Sequence, residues 1–259
     1  MAEPLILITN DDGIYSSGIL ALQQAAAALG KTVVVAPETE RSAVGHAITI
    51  SSPIRIREVD RRNGFSGFAV DGTPADCVKL GVRSLLPRLP DVVMSGINRG
   101  ANVGVSILYS GTVSAATEGV LMGIPSLAVS LDAWEDPVYD FAARFASRLL
   151  KLILEKGIPP GVSLNVNVPH VPEEGIKGIR LTRQGRSYYE EDFELRADPR
   201  QRTYYWMNGR HVSPEKDPVL DDVAIRENYV SVTPLHYNLT HEDSIEYFKS
   251  WGLSEDGVD

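Results

Sequence analysis

A single cysteine among 259 residues rules out an internal disulfide, so the fold cannot depend on an oxidising compartment. Cys77 lies in an apolar helical pattern with no His or second Cys spaced as a metal partner, and reads as a packing residue. No apolar run approaches the roughly 20 residues that span a bilayer, and the N-terminus lacks the basic, apolar, small-residue order of a secretory signal. The expectation is a cytoplasmic protein with no membrane partner. Basic residues are scarce too: 25 Lys and Arg stand against 34 Asp and Glu, a net charge of -9. A nucleic-acid polymer needs a basic stripe to displace its counterions, and none is visible; Arg61 and Arg62 form only a short pair, read as a solvated loop. Any phosphate ligand is then small, with its charge met locally. Gly96, Gly100 and Gly104 do not make the G-x-G-x-x-G spacing, which argues against NAD, and no His pair has zinc spacing.

What is present fits one large α/β domain with a small appendage. Leu5 to Ile8 form an apolar run typical of a strand buried on both faces, and it leads directly into Asn10-Asp11-Asp12-Gly13. Ligands of open α/β sheets bind beyond the carboxyl ends of strands, and two adjacent carboxylates there repel unless a cation or proton offsets them. A divalent ion answers that repulsion; a plain strand-to-helix turn is the alternative, since Asn, Asp and Gly are also turn residues.

Ser16 or Ser17 caps a helix running to Gly30, and Thr32 to Ala36 is a second parallel strand. Pro37 to His46 is a polar loop at that strand's end, bringing Glu38, Glu40, Arg41, Ser42 and His46 to the same rim. Alternating Ile48, Ile50, Ile54 and Ile56 predict a half-buried strand pair, continued by Gly64 to Val70. Thr73-Pro74 starts a helix to about Leu86, and Asp91 to Ser95 is a core strand before a loop from Gly96 to Gly104. Small residues from Ser114 to Met122 form a helix, Ile124 to Leu131 a strand, and Val138 to Lys156 an amphipathic helix stopped by Gly157. Ser163 to Val168, Gly178 to Thr182 and Tyr229 to Thr233 are further strands, and Ser254 to Asp259 reads as a frayed acidic tail. The run from Tyr188 to Glu194 shows no clear period. Arg202 to Ser213 reads as a hairpin turning at Asn208-Gly209, with Tyr204, Tyr205 and Trp206 packing either on a partner subunit or within the chain.

Asp11, Asp12, Ser42, Asn98 and Asn102 supply carboxylate, hydroxyl and amide oxygens, hard ligands suited to Mg²⁺, Mn²⁺ or Ca²⁺. Ser110-Gly111-Thr112 before a helix is either a phosphate cradle or an ordinary N-cap. His46 stays a minor candidate at the rim.

Together, Asn10 to Gly13, the Ala36-Pro37 to Ser42 loop, Gly72 to Cys77, Ser95 to Asn102 and Tyr109 to Val113 resemble the SurE (survival protein E) family. The resemblance covers the first strand to about Val168 and, more loosely, the C-terminal third. It implies a Rossmann-like three-layer α/β domain over residues 1–185, with a mostly parallel sheet. Residues 186–259 would be a hairpin extension exchanged between subunits of a homodimer or homotetramer. It implies a metal-dependent nucleotidase acting on nucleoside 5′- and 3′-monophosphates, and on short polyphosphate in some members. One Mn²⁺ or Mg²⁺ per subunit would be held by Asp11, Asp12, Ser42 and Asn98, while Asn10, Asn102, Ser110, Gly111 and Thr112 would face substrate phosphate.

The mechanism expected is in-line hydrolysis, with one aspartate taking the proton of water; Asp11 is the first choice and the roles can be reversed. A receiver domain would need a phosphoacceptor Asp where Asn98 stands, and a haloacid-dehalogenase-type phosphatase would need Asp-x-Asp rather than an adjacent pair. A nucleotide-binding module without turnover is the non-enzymatic alternative.

Overall fold

The computed structural model describes residues 3–61, 65–251 and 253. Leu5–Thr9 form β1, buried at every position, as a strand covered on both faces must be. Helix α1, Ser17–Ala27, starts where Ser16 Oγ accepts the Ile19 N–H, and leads to β2, Lys31–Pro37. β3 (Ile56–Arg61) and β4 (Phe65–Val70) pair antiparallel. Thr73 and Asp76 close a reciprocal capping box around Pro74 to open α2, Pro74–Leu80, which loosens into a π turn over Gly81–Leu85. Then follow β5 (Val92–Arg99), α3 (Gly111–Leu121), β6 (Ser126–Asp132), α4 (Asp140–Lys156) and β7 (Val162–Pro169). The remainder comprises β8 (Gly178–Leu181), β9 (Tyr188–Ala197), β10 (Thr203–Val212), α5 (Asp221–Arg226), β11 (Tyr229–His236) and α6 (Ile245–Lys249).

Nine strands form one sheet in the order β3-β4-β2-β1-β5-β6-β7-β11-β8, mostly parallel, and β9 and β10 pair apart from it. One face packs Ile6, Ile8, Met94 and Leu127 against Leu22 of α1 and Leu150 of α4; the other packs Leu7, Val35 and Val93 against Cys77 and Val78 of α2 and Ala115 of α3. This is the three-layer α/β fold expected. Cys77 is free and fully buried, and burial pushes its thiol up, as its packing role requires. β1 pairs with β2 on one side and β5 on the other, so the strand order reverses beside β1 and opens a crevice at its carboxyl end. Among the described residues no helix is long and apolar enough to cross a membrane.

Three expectations are corrected. Ile48 and Ile50 are exposed and outside any strand, because their segment bonds to Asp76 and Thr73 rather than to a ladder; β3 begins only at Ile56. β5 continues through Asn98 and Arg99, with a register shift after Ser95, where a loop was expected. Asn208 and Gly209 lie inside β10, opposite Asp192 and Glu191. The hairpin turns instead at Asp198 to Arg202, where the Asp198 carboxylate collects the Arg200 and Arg202 N–H groups and Gln201 adopts φ 61. Gly209 serves close approach: a Cβ there would lie 2.5 Å from the Tyr189 ring. Within residues 186–259, β9 and β10 pair apart from the main sheet, while β11 sits in it between β7 and β8 and α5 packs on β11. Arg61 closes β3, whereas Arg62, Gly64 and the tail Ser254 to Asp259 lie outside the described residues.

Candidate active site at the carboxyl ends of β1 and β5

The turn after β1 is braced from within. Asn10 Nδ2 donates to Gly13 O (3.0 Å) and to Ser16 Oγ (2.9 Å), tying the turn to the cap of α1, while its Oδ1 is buried without a donor. Gly13 has φ 93, and a Cβ there would lie 3.1 Å from the Thr39 carbonyl carbon, so only glycine seats the β2 loop this closely. That loop is fastened by the Arg41 N–H on Asp11 O (2.7 Å). It carries Glu40, whose Oε1 accepts from the exposed Ser42 Oγ at 2.6 Å.

Asp11 is 5% exposed. Thr112 grips both its oxygens: the backbone N–H donates to Oδ2 at 3.0 Å and the hydroxyl to Oδ1. Gly111 permits this, because a Cβ there would lie 2.8 Å from Asp11 Cβ. Burial raises the Asp11 pKa, against the lowering effect of the Thr112 bonds. Asp12 is freer: one oxygen accepts the Arg99 N–H at 3.2 Å. Burial, then the Asp11 charge, push its pKa up to about 7, with Glu40 adding to the rise. Two desolvated adjacent acids, their charge only partly offset by Arg99 near Asp12, make a centre that favours a cation.

Asn98 Nδ2 donates to Gly100 O at 2.7 Å, which leaves its Oδ1 unused among the described residues. Asn102 is 8% exposed and bonded through its N–H, its carbonyl and its amide nitrogen. Its N–H donates to Asn167 Oδ1 (2.7 Å), its Nδ2 to Ser130 Oγ (2.9 Å), and its carbonyl accepts from Asn165 and Asn167. Asp221, fully buried, holds the far end of the loop by accepting the Gly104 N–H (3.0 Å) and Gly185 N–H (2.8 Å).

The expected residues thus divide. Asp11, Asp12, the Ser42 loop and Asn98 meet at one rim. Ser110 caps α3 by accepting the Val113 N–H, and Thr112 serves Asp11, so the side chains of the expected cradle are already engaged. His46 turns away to the buried Glu118 (2.9 Å), which Lys79 also bonds. Sequence reasoning gave too little weight to Glu40 and missed Asn165, Asn167, Ser130 and Asp221. The alternation Asn165-x-Asn167 inside a buried strand was a usable signal; nothing local marked Asp221.

Among the described residues no three His, Cys, Asp or Glu side chains form an ion-binding group. Two carboxylates beside neutral hydroxyl and amide oxygens are hard donors.

A family model described as "Survival protein SurE" matches residues 6–191. The chain belongs to the SurE family. That span holds every site residue proposed from the sequence. A "5'-nucleotidase SurE" from Syntrophobacter fumaroxidans is 49% identical over 248 residues, 96% of this chain and 99% of the relative. One from Thermosipho africanus is 49% identical over 244 residues, 94% of each. The crystal structure of a SurE protein from Aquifex aeolicus superposes with a TM-score of 0.83 at 42% identity, covering 96% of this chain and all of that one.

Proposed function

We propose that this SurE-family chain is a phosphomonoesterase that hydrolyses nucleoside 5′-monophosphates, and 3′-monophosphates, to nucleoside and phosphate. The observation that carries the reading is the meeting of two desolvated, adjacent carboxylates with the Ser42 loop and Asn98 at the β1/β5 crevice. Asp11, Asp12, Ser42 and Asn98 would hold one Mn²⁺ or Mg²⁺. When bound, the ion supplies Lewis-acid polarisation of phosphate and a water of lowered pKa.

The chain's own residues divide the remaining work. Asp11, held by one bond from Thr112 to each oxygen, would be a fixed ligand through its remaining lone pairs, so proton acceptance falls to the freer Asp12, reversing the first expectation. The Arg99 guanidinium, beside Asp12, is a local cation for phosphate charge. The Asn102 network and Asp221 keep the loop from moving when an anion enters. The exposed apolar residues of β9 and β10 support assembly of a homodimer or homotetramer through the hairpin.

The test is phosphate release from a panel of nucleoside 5′- and 3′-monophosphates and tripolyphosphate, with Mn²⁺, with Mg²⁺ and under chelator. Turnover undiminished by chelator would remove the metal from the reading.

A further inference from the structure

We infer that Trp134 is the stacking platform for the base of the nucleotide, an inference that rests on the nucleotidase reading. Trp134 follows β6, on the rim where β5 and β6 end side by side. It is 73% exposed, an unusual position for the largest apolar side chain. Among the described residues its ring meets no other aromatic ring and no cation.

The indole is nevertheless seated. A Cβ at Gly100 would lie 2.8 Å from Trp134 Cζ2 and 3.0 Å from Cη2, so the ring lies against bare backbone of the glycine-rich loop. Gly100 is itself fixed: its carbonyl accepts from Asn98 Nδ2 (2.7 Å) and its N–H donates to Leu131 O (2.8 Å). Gly100, against which the ring lies, stands two residues from Asn98, at most roughly 7 Å along the chain. The ribose spaces a base from its phosphate by a comparable reach.

The alternative use of an exposed indole is a protein contact. Trp206 and Trp251 suit that role, each among other exposed apolar residues of the hairpin or of α6. Trp134 is followed instead by the exposed acids Glu135 and Asp136, and charged residues are depleted from interface cores. Every base has a π face, so stacking here admits all bases with only mild preference, strongest for purines.

Steady-state kinetics of the full-length, Mn²⁺-loaded enzyme on AMP and on ribose 5-phosphate, which lacks a base, test the inference. Trp134→Ala should raise KM for AMP about tenfold and change KM for ribose 5-phosphate by less than about twofold, with Trp134→Phe restoring most of the loss. Adenosine should quench tryptophan emission in the wild type but not in Trp134→Phe. Equal shifts for both substrates, no shift for AMP, or a changed oligomeric state of Trp134→Ala would overturn the platform. Wild-type enzyme that hydrolyses neither compound would instead overturn the nucleotidase reading beneath it.

Discussion

The crevice at β1 and the β9–β10 hairpin manage exposed chemistry in opposite ways. The crevice is densely bonded: Asn102 through its N–H, its carbonyl and its amide nitrogen, and Asp11 through both oxygens, although Asn10 Oδ1, Ser95 Oγ and Asn165 Oδ1 are buried without a partner. In the hairpin, Phe193, Leu195, Tyr205 and Met207 share one face of the ribbon, all more than half exposed. The other face carries Glu194–Arg196 and Glu190–Arg210 ion pairs. The first region is assembled within one chain, and its two acids outweigh the positive charge that Arg99 brings near Asp12. The second lacks apolar cover, since a two-stranded ribbon cannot bury its own face. Each region is thus defined by what it still needs: a cation in one, a surface in the other.

That contrast can be broken most severely at the acids. Asp11→Asn or Asp12→Asn should lower metal-dependent phosphate release by at least about 10²-fold, while circular dichroism stays native. A variant that keeps its rate would detach the acids from catalysis. Next in size is the hairpin. Under the proposed assembly through the hairpin, removing residues 188–212 should leave monomers in sedimentation velocity, and a particle still of dimer or tetramer mass would show that assembly lies elsewhere. Thr112→Val, which deletes one bond to Asp11 and keeps the backbone bond, should weaken metal affinity about tenfold to a hundredfold, measured by activity against ion concentration.

The smallest effect sharpens the comparison by its pH dependence. Asp76 is 2% exposed; burial would raise its pKa, but bonds from Thr49 and Thr73 outweigh that and hold it below the ordinary value. A carboxyl depressed in the fold adds stability that is present above its unfolded pKa of about 3.9 and lost as pH falls further. Asp76→Asn should therefore cost about 2 kcal/mol in denaturant melts at pH 7, and much less near pH 3. A penalty independent of pH would assign the loss to packing.

Most of the core was legible because parallel strands buried on both faces are uniform apolar runs, as in Leu5 to Ile8 and Val33 to Ala36. The caps at Ser16 and Thr73 were readable for a local reason: the bond that makes them lies within a few residues. The Asn-Gly turn misled because hairpin chemistry is judged from two residues, whereas Tyr189 lying across Gly209 is a cross-strand fact. In β9 the alternation Phe193, Leu195, Ala197 was there to be read, but three consecutive acids before it hid the period. The candidate-site residues that share one rim were legible where they belong to strand-end motifs. The partners of Asn102 and Gly104 were not, since Asn167 is 65 positions from Asn102 and Asp221 is 117 from Gly104.

The stems of the hairpin leave the body at one place. Gly185 bonds to Asp221, Ser213 to its neighbour Asp222, and the Arg186 N–H to Glu215 at 2.9 Å. A knot of buried acids thus clamps the ribbon where it enters and where it departs, while β11 continues the main sheet beyond. The arm joins the scaffold at a single root, so a change confined to it leaves the threading of the sheet intact, like a handle bolted to a lid that stays shut.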